Sequence, residues 1–315
     1  ILGDWGSSDL RSNRSGPISV FSNAWCFPSM KFDDRCVDCL LSRVMLECRL
    51  CGASDRRSEE VVAACADLLA SLRHEPLLHP QIASAMHRKA YEMLGNDDPF
   101  LSLKEESDRI AREVCSVVRG RLSEFRDYVL ASIIGNTFDY GVKGHQVTGD
   151  FLGYFEQEYA AGLAIDHTDR IARLIDRVVY FTDNCGEIVF DRLLLEYLHR
   201  QGSHITLAVR DMPILNDATM AEARALHLDR YADVLTTTGC GCEIGVRLDC
   251  MPPELAAAVD NCTLIIAKGM ANYESISEFT GMPPVAFLMA AKCDPIAEEV
   301  GVVRGAKVAM LRDRN

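Results

Sequence analysis

Val178-Val-Tyr-Phe-Thr-Asp-Asn-Cys-Gly-Glu187 leads into a helical run, and then into Ile205-Thr-Leu-Ala-Val-Arg-Asp-Met-Pro-Ile-Leu-Asn-Asp-Ala-Thr219. Two apolar runs of strand length each end in a polar cluster, Asp183-Asn184 in the first and Asn216-Asp217 in the second. In open α/β sheets, ligands sit beyond the carboxyl ends of the strands. Two carboxylates and two amides arriving there together are hard oxygen donors, suited to Mg²⁺ or Mn²⁺. This stretch therefore predicts a divalent-metal site that handles a phosphate.

Outward from it, strand-like runs recur at 178–182, 204–209, 232–237, 263–267, 284–289 and 306–311, with helical patterns between them. That alternation predicts βαβ units and a Rossmann-like, mostly parallel sheet flanked by helices. The strands are apolar nearly throughout, as expected when both faces are covered. Upstream, helical patterns over 32–51, 57–74, 80–94, about 102–119 and 121–134 leave little strand signal. The chain thus divides into an all-helical domain over 30–150 and an α/β metal-binding domain over 151–315. Met30-Lys31 resembles a natural start. Residues 1–29, rich in Ser, Gly, Asn and Arg, read as an upstream extension, expected to be poorly ordered.

The net charge is 33 − 46 = −13. Nucleic acid needs a basic surface, so it is not an expected partner. An anionic small substrate remains compatible, because a bound cation inverts the local field. No apolar window reaches the ~18 residues of a membrane span. Thirteen cysteines, an odd number in a long chain without a secretory pattern, point to a reduced, cytoplasmic protein.

Four of those cysteines form Cys36-x-x-Cys39 and Cys48-x-x-Cys51 in the first helix. One shared zinc site is excluded if that helix is unbroken. The pairs are 48 − 36 = 12 residues apart, about 18 Å at 1.5 Å per residue, against zinc–sulfur bonds of ~2.3 Å. Cys36 and Cys39 share a helical face and suit a half-site for a metal, a redox pair, or simple burial.

Further candidates lie at element ends. Asn136 and Asp139 are three apart and share a face if their helix continues. Gly186 and Glu187 open the helix after the first strand, where backbone amides attract anions. Gly239-Cys-Gly-Cys-Glu-Ile-Gly245 allows either a tight bend or close approach to a ligand. Lys268, at the carboxyl end of a buried strand, suits a phosphate contact, with Asn272 and Glu274 beginning the next helix. No Gly-x-Gly-x-x-Gly and no Gly-Lys-Ser/Thr phosphate loop occurs, which lowers a nucleotide-binding or kinase-like reading.

Five stretches together carry a resemblance: Cys36-Val-Asp-Cys39, Gly135-Asn136-Thr-Phe-Asp139, Asp183-Asn184-Cys-Gly186-Glu187, Pro213-Ile-Leu-Asn216-Asp217-Ala-Thr219, and Lys268-Gly269-Met-Ala-Asn272-Tyr273-Glu274. From about Met30 to the C-terminus, the chain resembles the domain-of-unknown-function 89 family. That family is also called the damage-control phosphatase or acidic-residue-methyltransferase-like family, and the Cys-x-x-Cys is similar to its prokaryotic subgroup. The resemblance implies a helical domain on a Rossmann-like domain. It also implies a divalent metal (Mn²⁺, Mg²⁺, Co²⁺ or Ni²⁺) on Asp183, Asn184 and Asp217, with Lys268 on the substrate phosphate. The implied activity is removal of phosphate from sugar phosphates and related damaged metabolites. The Cys-Gly-Cys loop and the second Cys-x-x-Cys depart from the family pattern.

The expected mechanism has the metal polarise the phosphoryl group and orient water. Lys268 and the amides at Gly186–Glu187 would offset charge on the equatorial oxygens, and Asn136, Asn216, Asn272 and Glu274 would contact substrate. Glu187, Asp139 and Glu274 all remain open as general acid or base. An aspartyl-phosphate on Asp183 competes with that residue's use as a ligand. Two other classes stay in view: a carboxyl methyltransferase using S-adenosylmethionine, and a non-enzymatic metal or thiol sensor. The oligomeric state is not set by the sequence.

Overall fold

The computed structural model describes residues 32–137 and 150–314. The extension over 1–29 and the candidate Asp139 lie outside the described residues. The described helices of the first half are α1 (Arg35–Leu50), α2 (Asp55–Leu72), α3 (His79–Leu94), α4 (Leu101–Val118), α5 (Phe125–Gly135) and α6 (Phe151–Ala161). Then follow β1 (Ile165–Asp166), α7 (Thr168–Ile171), β2 (Arg177–Phe181), α8 (Glu187–Arg200), β3 (His204–Val209), α9 (Met220–Ala225) and β4 (Val234–Thr237). The chain ends with α10 (Pro253–Asn261), β5 (Leu264–Lys268), α11 (Gly269–Ile276), β6 (Val285–Ala290), α12 (Asp294–Val300) and β7 (Lys307–Arg312).

The strands form one sheet in the order β1-β7-β6-β5-β2-β3-β4. All neighbours are parallel except β6 and β7. The chain builds β2, β3 and β4 toward one edge, then crosses back to β5 on the other side of β2. The connections after β2 and β5 leave in opposite directions, and such a switch point opens a crevice at the strand ends. Asp183 follows β2 there, and Lys268 ends β5.

Three cores hold the molecule. Leu130, Phe155, Phe190 and Leu195 cover one face of the sheet with Tyr180, Leu207 and Ile266. Leu255, Ile276 and Ile296 cover the other with Val179, Phe181 and Phe287. The third joins α1, α2 and α3 to Ile214, Leu215 and Ile244, residues of the connections after β3 and β4. The helical spacing behind it is direct: Leu40, Val44 and Cys48 on α1 face Val61, Cys65 and Leu69 on α2, each set four residues apart. Burying such side chains stabilises by about 1.5–3 kcal/mol each. The first three helices thus form a cap seated on the strand-end loops, whereas α4 and α5 share the sheet's own core.

α1 is unbroken, so Cys36–Cys39 and Cys48–Cys51 lie at its opposite ends. One four-cysteine site is ruled out, as the helix length requires. Gly52 follows the helix with φ +65°, a left-handed stop. Among the described residues, no helix is long and apolar enough to cross a membrane.

Candidate active site

Backbone hydrogen bonds bring the two polar clusters together. Asn184 and Asp217 form an isolated antiparallel bridge. Ala218 N donates to Asp183 O at 2.8 Å, and Cys185 N to Asn216 O at 2.8 Å. Leu215 reaches left-handed φ (+48°) to make the turn. The cap fixes that turn, because Leu215 N donates to Tyr91 Oη on α3 at 2.9 Å.

Arg210, fully buried one residue past β3, ties the carboxylates to each other. Its Nε donates to Asp217 Oδ2 at 2.6 Å, and its Nη2 lies 3.6 Å from Asp183 Oδ1. Both aspartates therefore lie within the span of one guanidinium. Nη1 donates to Gly245 O and Asn272 Oδ1, which anchors the guanidinium from behind. Asp183 Oδ2 accepts from Asn136 Nδ2 at 3.0 Å and from Asn184 Nδ2 at 2.8 Å. Gly269 makes room for this carboxylate. It has φ +73°, and a Cβ built there would overlap Asp183 Oδ2 and Cγ.

Asp183, Asn184, Asn216 and Asp217 line a cavity of about 120 Å³. That is room for several waters or a phosphoryl group. Glu274, Cys36, Cys39, Arg43, Lys292, Arg35 and His79 also stand on its wall. Burial drives the Asp183 carboxyl well above the usual carboxylate range, and the neighbouring Asp217 and Glu187 push it further; Lys292 and Arg210 only partly oppose this. A divalent cation would reverse that balance. The donor chemistry fits one: Asp183 Oδ1 and Asn184 Oδ1 accept no hydrogen bond among the described residues. The set is two carboxylates and an amide. Among the described residues, no cluster of three or more His, Cys, Asp or Glu is placed to hold a metal.

The profile of the damage-control phosphatase ARMT1-like domain matches residues 32–308. The chain belongs to this family. It is 40% identical over 290 residues to a protein of Archaeoglobus fulgidus named damage-control phosphatase, covering 89% of this chain and 99% of that one. It is 32% identical over 289 residues to a damage-control phosphatase of Pyrococcus horikoshii, covering 89% and 98%. A crystal structure of a DUF89 family protein from Pyrococcus horikoshii superposes with TM-score 0.80 at 29% identity, covering 88% of this chain and 98% of that one. Family membership and the mixed α/β fold thus agree with the resemblance read from the five motifs.

Several expected substrate contacts are placed elsewhere. Lys268 is fully buried, and its ammonium donates to Glu187 Oε1 at 2.6 Å, Asp191 Oδ1 at 2.7 Å and Ser132 Oγ at 2.8 Å. Its donors are taken from within, and it is not among the residues that line the cavity, where a phosphate contact was expected of it. The Gly186 amide is likewise occupied, donating to Asp108 Oδ1 at 2.6 Å. Glu187 is fully buried between Lys268 and Asn136, whose Nδ2 donates to Glu187 Oε2 at 2.7 Å. Asn136 also receives Ala290 N on its Oδ1. Asn272 donates to the carbonyls of Thr182 and Lys268. Asn136, Gly186, Glu187, Lys268 and Asn272 therefore form the frame behind the site, while Asp183, Asn184, Asn216, Asp217, Glu274, Cys36 and Cys39 line it.

Arg210, Asp191, Asp108 and Gly269 were missed as site residues. Arg210 and Gly269 carried a signal. Arg210 is a charge directly after an apolar strand, the same placement that drew notice to Lys268. Gly269 follows a strand where only glycine tolerates such φ. Asp108 sits mid-helix, 78 residues before its partner, with nothing local to mark it. In the Gly239–Gly245 loop, Cys240 is paired with Cys250, a pairing the sequence reading did not make, and Cys242 Sγ donates to Pro213 O.

Proposed function

We propose that this chain is a phosphatase that hydrolyses phosphate esters of small metabolites, sugar phosphates or damaged phosphometabolites, in the cytoplasm. A divalent ion (Mn²⁺, Mg²⁺, Co²⁺ or Ni²⁺) would be held by Asp183, Asn184 and Asp217. The observation that carries this reading is the pairing of two buried carboxylates from separate strand ends across one cavity, whose wall also bears Arg43 and Lys292. The names of the relatives at 40% and 32% identity support it.

When bound, the ion would supply Lewis-acid polarisation of the phosphoryl group and a positioned water. Arg210 fixes the direction of Asp217, and Asn136 fixes that of Asp183. Lys292 and Arg43, in place of Lys268, would offset charge on the equatorial phosphoryl oxygens. Asn216 would hydrogen-bond the substrate from the same wall. Of the three carboxylates considered for proton transfer, Glu274 is the one among the described residues that lines the cavity. It would accept the attacking water's proton.

The test is hydrolysis of a panel of sugar phosphates by metal-stripped protein, with each of the four ions restored in turn. Turnover is expected to require an added ion. Asp183→Ala and Asp217→Ala are each expected to lower kcat/KM by at least roughly a hundredfold. Turnover unchanged in both variants would remove these ligands from the mechanism.

A further inference from the structure

Thiols on the wall of the same cavity are not used by that chemistry. Cys36 and Cys39 lie in the first two turns of α1, Cys293 precedes α12, and His79 opens α3. His79 Nδ1 lies 3.2 Å from Glu274 Oε1, and Cys36 shares the walls of both neighbouring cavities with this imidazole. Both imidazole nitrogens are buried. Burial works against a charged ring, but the Glu274 carboxylate and the Cys36 thiol outweigh it and hold the imidazole pKa up at about 10. A carboxylate, an imidazole and a thiol gathered on one cavity wall are the groups that turn a cysteine into a nucleophile. The helix N-terminus adds to it, since Cys36 is the second residue of α1.

Access is separate from the phosphate site. Cys36, His79, Glu274 and Cys293 also line a second, neighbouring cavity together with Asp33 and Glu299. A small solute reaches Cys36 from that side without passing Asp183. The partner thiol is close, because residues three apart on a helix have Cβ atoms about 5–6 Å apart. A modest relaxation of the first turn closes this to the ~3.5–4.5 Å of a disulfide.

We propose that Cys36, oriented by His79 and Glu274, is an oxidation site for hydroperoxides, with Cys39 as its resolving thiol. The Cys36 thiolate attacks the terminal peroxide oxygen and the O–O bond breaks. Sulfur is oxidised to the sulfenic acid, and the departing alkoxide or hydroxide takes a proton from the His79 imidazolium. Cys39 then attacks the Cys36 sulfur, the S–O bond breaks, and a disulfide and one water result. Burial raises the thiols of Cys65 and Cys242 to about 12 and that of Cys262 to about 11, which makes these three poor nucleophiles.

The test treats the full-length, pre-reduced chain with limiting hydrogen peroxide, quenches at intervals, and maps the cysteines by peptide mass spectrometry. The wild type is expected to form the Cys36–Cys39 disulfide first. Cys39→Ser should leave a Cys36 sulfenic acid that a 1,3-dione traps. Cys36 should react on the order of tenfold faster than the half-buried Cys51 and Cys262, and His79→Gln or Glu274→Gln should remove most of that advantage. Cys36 reacting no faster than Cys51, or at full rate in both variants, would overturn the proposal. So would a zinc ion in the purified chain that Cys36→Ser releases. The readout is thiol chemistry, so it stands or fails apart from the phosphatase reading.

Discussion

Lys268→Met is expected to lower stability by about 3–5 kcal/mol, the usual penalty for removing one partner of a buried ion cluster. The ammonium is fully enclosed with Glu187 and Asp191, each fully buried, and with Ser132. Burial already raises Asp191 to about 6, although Lys268 draws it down. Without Lys268, both carboxyls would face a dry interior with no cation. The native pKa of Asp191 would then lie further above its unfolded value, so the native state would bind more protons between the two. Stability of the variant should fall as pH rises through that window. Urea midpoints at pH 5 and pH 8 check this: the deficit against wild type should be larger at pH 8. Adding Asp191→Asn to the Met variant should recover part of the loss. A single variant as stable as wild type at both pH values would show that Lys268 is dispensable to the frame.

Gly269→Ala is expected to abolish most turnover at a much smaller cost in folding. The added methyl would overlap the Asp183 carboxylate, and φ +73° is itself strained for an L residue. The carboxylate cannot retreat easily, because Asn136 and Asn184 both donate to its Oδ2. Misplacing a catalytic group by about 1 Å costs on the order of a hundredfold in rate. Hydrolysis at saturating Mn²⁺ should fall by that factor or more, while the urea midpoint shifts by only about 1–2 kcal/mol of stability. Wild-type turnover in this variant would mean that Asp183 does not need its observed position.

The two predictions rest on residues that the sequence revealed unequally. The sheet was legible because its strands are unbroken apolar runs with polar ends, and six of them fall within two residues of the observed spans. β1, with two residues, is too short for any period to mark it. The pair of cavity carboxylates was legible for the same reason: Asp183 and Asp217 each close an apolar strand or its turn. Lys268 was singled out by its position, but its pairing with Glu187 and Asp191 was not legible. A buried lysine at a strand end pairs with whichever carboxylates share its pocket, and Asp191, one helical turn beyond Glu187, supplied one. Its spacing from Glu187 was visible, yet nothing local shows which face of α8 meets β5. The partner of the Gly186 amide was equally hidden, because it comes from α4. Contacts across such separations depend on packing, and periodicity carries no record of them.

The account turns on one ion shared by Asp183 and Asp217. Crystals grown with Mn²⁺, with data collected at the manganese absorption edge, locate it directly. The account predicts a single strong anomalous peak within ~2.0–2.3 Å of oxygens of Asp183, Asn184 and Asp217. A peak on Cys36, Cys39 and Cys293 with none between the aspartates would contradict it.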